Sequence, residues 1–203
     1  MESKTISVLI ILISLFLLAS CLTIESELSL NDDESGTVRL EYSVSTLAVD
    51  IAKIDKDNSV LPFPIMEDEF DAAILKGNGV QKLEYEMSDD GARYYIRSLI
   101  SFDSLNSLSL FTGSQFLLEN QGSNKLLTVT VYDFPEDYEI DIQTLNIVSE
   151  NFAEDFISFT VTIPGDIVRV NGATFSGSEV SFTITVEDLI QSTENVQFSV
   201  EYR

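Results

Sequence analysis

Thr37-Val38-Arg39-Leu40-Glu41-Tyr42-Ser43-Val44 decides the fold class of this chain. Successive side chains of an extended strand point to opposite faces. Val38, Leu40, Tyr42 and Val44 therefore share one side, and Thr37, Arg39, Glu41 and Ser43 share the other. A segment of this kind keeps one face in a core and one in water, which signals antiparallel sheet rather than a parallel sheet covered on both faces. The same beat recurs outward along the chain. It is carried by Leu83, Tyr85 and Met87, by Tyr94, Ile96, Ile100 and Phe102 (with Ser98 interrupting), and by Leu127, Val129 and Val131. It returns in Ile157, Phe159, Val161 and Ile163, and in two late runs, Val180-Phe182-Ile184-Val186 and Val196-Phe198-Val200-Tyr202.

Turn residues lie between these runs. Asn31-Asp32-Asp33-Glu34-Ser35-Gly36 joins the first two strands, Ser88-Asp89-Asp90-Gly91 makes a second hairpin, and Gln121-Gly122-Ser123-Asn124 a third. Asp-Gly and Gly-Ser pairs accept the positive φ that tight hairpins require. Between the hairpins the apolar spacing changes to the helical period. Leu47, Ile51 and Ile54 fit a short helix capped by Ser45 or Thr46. Met66, Phe70, Ala73 and Ile74 form a second stripe, with Glu67-Asp68-Glu69 at its start, Lys76 at its end and Gly77 to stop it. Leu105 and Leu108 suggest a brief third helix. Ile142, Leu145, Val148 and Phe152 mark the longest, roughly 139–154. Pro62 and Pro64 stiffen the connector around Leu61. The expected fold is α+β: antiparallel hairpins with several short helices packed on one face, ending in an all-β part. No Pro/Gly/Ser linker separates independent units, so residues 21–203 read as a single exported domain.

Residues 1–20 read as a leader. Lys4 supplies a positive start beside Glu2, and Ile6 to Leu18 are apolar apart from Ser7 and Ser14. The run is shorter than the roughly 20 apolar residues of a membrane-spanning helix and has the shape of a cleaved secretory signal. It ends in Leu18-Ala19-Ser20-Cys21, and Cys21 is the only cysteine of the chain. This run resembles the lipobox of bacterial lipoproteins, in which the cysteine thiol is acylated and the leader is cut before it. The resemblance implies a palmitate-type anchor on Cys21. Each buried methylene contributes about 0.8 kcal/mol, so two or more chains hold a protein stably on a membrane.

The chain carries 34 acidic and 11 basic residues, a net charge of −23. Phosphate backbones are bound by clustered Lys and Arg, so nucleic acid is not an expected partner. Anionic lipid would repel such a domain, which leaves the holding to the covalent anchor. There is no histidine, so Ser-His-Asp and Cys-His catalytic arrangements cannot be assembled. The sequence holds no nucleophile-elbow, phosphate-loop or dinucleotide-binding pattern. Asp32-Asp33-Glu34, Glu67-Asp68-Glu69 and Asp89-Asp90 are the densest carboxylate groups. Adjacent carboxylates on a turn diverge. A calcium loop counted from Asn31 would also place Tyr42 where a bidentate glutamate is needed. These groups read as solvated tips, and Tyr94-Tyr95 as core filling. No catalytic residue, metal ligand or cofactor is expected.

Phe159-Thr160-Val161-Thr162-Ile163-Pro164-Gly165-Asp166-Ile167-Val168-Arg169-Val170-Asn171-Gly172 resembles the strand, Pro-Gly turn and Asn-Gly turn of LppM-like bacterial lipoproteins. Ser181 to Val186 is similar to their following strand, and Leu28 to Val38 to their opening hairpin. The resemblance covers both ends of the mature chain and implies an exported domain tethered to the membrane, with a role in binding envelope lipid or glycolipid. It supplies no catalytic residue. Members of that family often continue into a C-terminal membrane helix, whereas here the sequence ends at Tyr202-Arg203 after a strand, so anchoring is expected at Cys21 alone.

The expected function is that of a noncatalytic, membrane-anchored lipoprotein on the extracytoplasmic side of the cell envelope, binding an envelope lipid or a protein partner. A lipid-binding domain would show a deep cavity lined by Phe and Tyr. A structural or assembly lipoprotein without a small-molecule ligand would show a filled core and an interaction patch. A carboxylate-dependent hydrolase would show two acidic side chains facing each other across a cleft.

Overall fold

Hairpin chemistry sets the order of the strands. Asn31 to Ser35 close the first hairpin through Asn31 N–H to the Ser35 carbonyl (2.8 Å) and Glu34 N–H to the Asn31 carbonyl (3.2 Å). Glu34 sits at φ 70°, in the left-handed region that Asn78 alone shares among the described non-glycine residues. The turn brings β1 (Leu22–Leu30) onto β2 (Gly36–Ser45). Gly36 begins β2 because a Cβ there would run into the Ser29 carbonyl and the Phe102 ring. In the computed structural model, which describes residues 22–46, 64, 66–134, 145–146, 149 and 155–203, the later elements follow the same logic.

After β2 come α1 (Glu67–Gly77), β3 (Val80–Asp89), β4 (Arg93–Phe102), α2 (Leu105–Thr112), β5 (Gln115–Gln121) and β6 (Asn124–Tyr132). Beyond these lie β7 (Phe156–Thr162), β8 (Ile167–Asn171), β9 (Thr174–Ser176), β10 (Glu179–Thr185), α3 (Val186–Gln191) and β11 (Val196–Tyr202). A seven-stranded sheet runs in the order β3-β4-β2-β1-β7-β10-β9, and a four-stranded sheet in the order β5-β6-β11-β8. This is the α+β arrangement expected from the alternation, with a β-rich C-terminal part into which the short α3 is inserted. Among the described residues every pairing is antiparallel except one: β1 and β7 run parallel, Ile24 opposite Ile157 through Ser29 opposite Thr162. Period-two alternation reports a wet face and not a strand direction. A parallel neighbour suits it whenever one side of the sheet stays in water.

The inner face of the large sheet is apolar as the alternation requires. Ile24, Leu28, Val38, Leu40, Val44, Ile100, Val161 and Val180 are all buried there. Phe198 of β11 reaches it from the small sheet, stacked on Phe182 (5.2 Å between centroids, 14°) and tilted against Phe159 (6.4 Å). The two sheets therefore share one core through three phenylalanines. At the other side α1 inserts Phe70, fully buried, against Tyr85 (5.3 Å) and Phe111 of α2 (5.8 Å). α1 starts where its acidic turn was expected, with the Glu69 carboxylate accepting from Met66 N–H (3.1 Å). Lys82 of β3 reaches Glu67 (2.9 Å) and Asp71 (2.5 Å). α2 is capped by the Ser104 hydroxyl, which accepts from Ser107 N–H, and ends on Gly113 at φ 76°.

Three details differ from the sequence reading. Leu83 does not share a face with Tyr85 and Met87. It is the extra residue of a β-bulge between Lys82 and Glu84, is 52% exposed, and reverses the alternation of this edge strand at that point. Ser98 does not break the alternation of β4. It lies on the inward face between Ile96 and Ile100, fully buried, and its hydroxyl has no hydrogen-bond partner among the described residues. Tyr95 faces away from the core, 43% exposed, because only its neighbour Tyr94 has the inward parity.

The helix expected from Leu47, Ile51 and Ile54 lies outside the described residues, as do Pro62 and the leader. Of the helix expected over 139–154, Leu145, Asn146 and Ser149 are described and are helical. Ser149 donates to Glu187 of α3 (2.7 Å).

Candidate functional site

Register, and not sequence proximity, builds a concavity among the described residues. Glu25 of β1 lies opposite Glu41 of β2, Glu41 opposite Arg97 of β4, and Arg97 opposite Glu86 of β3. The next row toward the start of β1 is Thr23, Ser43, Tyr95 and Ser88. All eight share the face opposite the core, where Ser43 is nonetheless buried. They line a groove of about 880 Å³, completed by Tyr42, Ile96, Tyr85, Met87 and, from the start of α1, Glu67.

The electrostatics of this groove are acidic. Arg97 grips Glu41 with two nitrogens, Nε to Oε1 at 2.8 Å and Nη2 to Oε2 at 3.3 Å. That hydrogen bond, and then the charge of Glu41, raises the affinity of Arg97 for its proton, with Glu86 adding to it. Glu25 and Glu86 have no cationic partner within ion-pair distance among the described residues. At the end of the row the Tyr95 hydroxyl donates to Asp90 Oδ2 (3.0 Å), which raises the phenol's pKa. Arg93 donates to the Ser43 hydroxyl (3.0 Å). Deeper in, the Tyr42 hydroxyl donates to the Pro64 carbonyl, and burial pushes its pKa well above the ordinary phenol value, with Tyr85 and Glu69 adding to the shift. Burial also raises Tyr85, with Glu67 and Glu69 next in effect. Two uncompensated carboxylates beside aromatic rings suit a cation better than an anion.

The sites singled out from sequence fall elsewhere. Cys21 lies outside the described residues, directly before Leu22. Asp32, Asp33 and Glu34 are an exposed hairpin tip. The Asp33 carboxylate accepts from the Ser35 hydroxyl (2.6 Å) and backbone N–H (3.2 Å), which holds its pKa below the usual carboxylate range. Asp90 plays the same part in its hairpin, accepting from Ala92 N–H (2.9 Å) and Arg93 N–H (2.8 Å), and its pKa is lowered. Glu67 and Glu69 serve the first turn of α1, and Glu67 also borders the groove. No group of three or more acidic, histidine or cysteine side chains among the described residues could hold a metal ion. Glu25, Glu41, Arg97 and Glu86 were not separable by sequence from any other wet-face residue. Their only signal was strand alternation, and it needed the register to become a site.

Between β1, β2, α2 and β5 a void of about 10 Å³ is lined by Ser26, Leu40, Leu108, Thr112 and Phe116, among others. That is the room for a single water molecule.

No protein-family model matches this chain, and no curated protein does. Among solved structures, the NMR structure of the folded domain of LppM from Mycobacterium tuberculosis is similar to it, with 14% sequence identity, a TM-score of 0.48, and 91% of each chain covered. A likeness at that level does not assign a family or a ligand. No helix among the described residues is long and apolar enough to cross a membrane.

Proposed function

We propose that this chain is an exported, acyl-anchored protein of the cell envelope whose domain binds a partner and performs no chemistry. The observation that carries the reading is the junction at residue 21. An apolar leader ends in Leu18-Ala19-Ser20-Cys21, and the folded strand β1 starts at the next residue. A cysteine placed between a removable leader and a sheet strand has an evident use as the point of lipid attachment.

The groove supports the binding part of the reading, and its chemistry favours a basic protein segment over an anionic lipid headgroup. Glu25, Glu41 and Glu86 share the groove with one guanidinium, so phosphate would be repelled and lysine or arginine attracted. The three-phenylalanine junction fills the contact between the sheets, and the open groove on the sheet supports a surface-binding reading. The hydrolase alternative gains nothing from the same residues. Glu25 and Glu41 stand side by side on neighbouring strands of one face and do not confront each other across the groove, and Glu41 is held by Arg97.

Growth of expressing cells with radiolabelled palmitate tests the anchor. The unaltered chain is expected to take up label and its Cys21→Ser variant to take up none. An unlabelled parent chain would overturn the reading.

A further inference from the structure

We infer that two copies of this chain pair through the outward face of the four-stranded sheet, about a two-fold axis that lies along the strands. This face is on the far side of the core from the groove. Leu127, Val129, Phe198 and Val200 are buried inward, and their neighbours in β6 and β11 point out. Register lays the outward residues in rows. Leu117 of β5 lies opposite Thr128 of β6, Thr128 opposite Ser199 of β11, and Ser199 opposite Asn171 of β8. The next row is Glu119, Leu126, Glu201 and Arg169. In a chain of net charge −23 these rows are close to neutral. Their charged residues are Glu119, Glu201 and Arg169, and Glu201 is already held, accepting from Asn124 (2.7 Å) with Arg169 at 4.0 Å. The outward face of the larger sheet carries Glu25, Glu27, Glu41 and Glu86 instead. Two acidic bodies meet at least cost where neither brings a crowd of carboxylates. At physiological salt, charges more than about 8 Å apart are largely screened, so the contact itself decides.

The face also carries a projection and a hollow in one row. Leu117 is 55% exposed on the edge strand. At the other end of its row a concavity of about 260 Å³ is lined by Thr128, Asn171, Gly172, Gln197, Phe198 and Ser199. The hollow persists because Gly172 sits at φ 72° and has no room for a side chain: a Cβ would meet the Gln197 carbonyl at 2.9 Å. A two-fold along the strands keeps each row level and reverses the strand order. β5 of one copy then lies over β8 of the other, and β6 over β11. Leu117 stands over its partner's hollow, and Glu119 stands over the partner's Arg169, whose side chain is 65% exposed. Symmetry makes each contact twice. A two-fold across the strands lacks this match. It sets β5 on β5 and β8 on β8, so Glu119 and Arg169 never meet. The patch spans three strand spacings of about 4.8 Å and five rungs of about 3.4 Å, or about 14 by 17 Å. That is the small end of specific interfaces, so the pair is weak and reversible.

The test is sedimentation equilibrium of the full chain in density-matched detergent, with micelles in excess over protein. The parent is expected to double its protein mass as concentration rises. Glu119→Arg sets two guanidinium groups against each other in the pair, and Arg169→Glu sets two carboxylates. Each variant alone should associate several-fold more weakly than the parent. Mixed in equal amounts, they should associate as the parent does, because every Arg then faces a Glu. Leu117→Asp should weaken the pair without touching the fold, since the side chain is exposed. Circular dichroism matching the parent confirms that each variant is folded, and Leu117→Asp carries the test if a charge variant is not. A parent that stays monomeric up to about 1 mM overturns the inference. So does a parent dimer that Leu117→Asp leaves as tight as before. Charge variants that weaken association singly but do not recover on mixing overturn the axis along the strands.

Discussion

Replacing Phe198 by alanine should destabilise the whole domain, because this ring is where the two sheets meet. It is 1% exposed, lies flat on Phe182 at 5.2 Å and tilts against Phe159 at 6.4 Å. Truncation returns about 150 Å² of apolar contact to a cavity, which at about 25 cal/mol per Å² is about 4 kcal/mol. Measured Phe-to-Ala losses in cores run about 3–5 kcal/mol, so the two routes agree. Against a typical stability of about 5–15 kcal/mol, that is about a quarter or more of the total. In urea, with a slope of about 2 kcal/mol per molar, the midpoint should fall by about 2 M. Phe175→Ala is the control. That ring is 55% exposed on the three-residue edge strand β9, and its loss should change stability by no more than about 0.5 kcal/mol. Far-ultraviolet circular dichroism and tyrosine fluorescence should report one coincident transition in both variants. A Phe198→Ala midpoint no lower than that of Phe175→Ala, or a curve splitting into two steps, would refute the shared core.

Three further outcomes follow from individual side chains. Ser98→Ala removes a fully buried hydroxyl without a partner among the described residues, and should raise stability by about 1 kcal/mol in the same urea titration; a loss would mean the hydroxyl is satisfied. The lowered pKa of Asp90 means that its contribution is complete above the ordinary carboxylate range near about pH 4 and fades as pH falls through its lower folded value. Asp90→Asn should therefore weaken the hairpin near neutrality and flatten the acid limb of the midpoint-against-pH curve, and an unchanged limb would show that the hydrogen bonds to Ala92 and Arg93 do not matter. If the groove receives basic segments, a lysine-rich peptide should bind the full chain in detergent micelles with an affinity that declines with salt, and Glu25→Gln combined with Glu86→Gln should weaken it several-fold in calorimetry; indifference to both changes would exclude the groove.

The strands were legible because each is amphipathic. Val38 to Val44, Val180 to Phe182 and Val196 to Tyr202 are buried where their parity said. The hairpins were legible because Asp-Gly and an acidic run ending in Gly36 have few other conformations to adopt. What escaped was whatever depends on a partner strand. The parallel pairing of β1 with β7 joins residues more than a hundred positions apart. Local alternation carries no sign of strand direction. The bulge at Leu83 looks in sequence like one more apolar residue of a strand. Only the matching of Val80 to Phe102 at one end and Tyr85 to Ser98 at the other shows that a residue is spare. Ser98 illustrates the reverse error: a polar residue in an apolar series suggests a broken strand, yet a small hydroxyl fits inside a sheet at some energetic cost. The groove was invisible for the same reason as the parallel pair. Glu25, Glu41, Glu86 and Arg97 are ordinary wet-face residues until register sets them shoulder to shoulder.

Register also holds the groove in one arrangement. A slip of one residue in β1 would turn Ile24 and Leu28, both almost completely buried, out into water. A slip of two would keep parity but move Leu22 off Val44 and lose a rung at the hairpin that Gly36 fits so tightly. The core thus allows one position of β1 between β2 and β7.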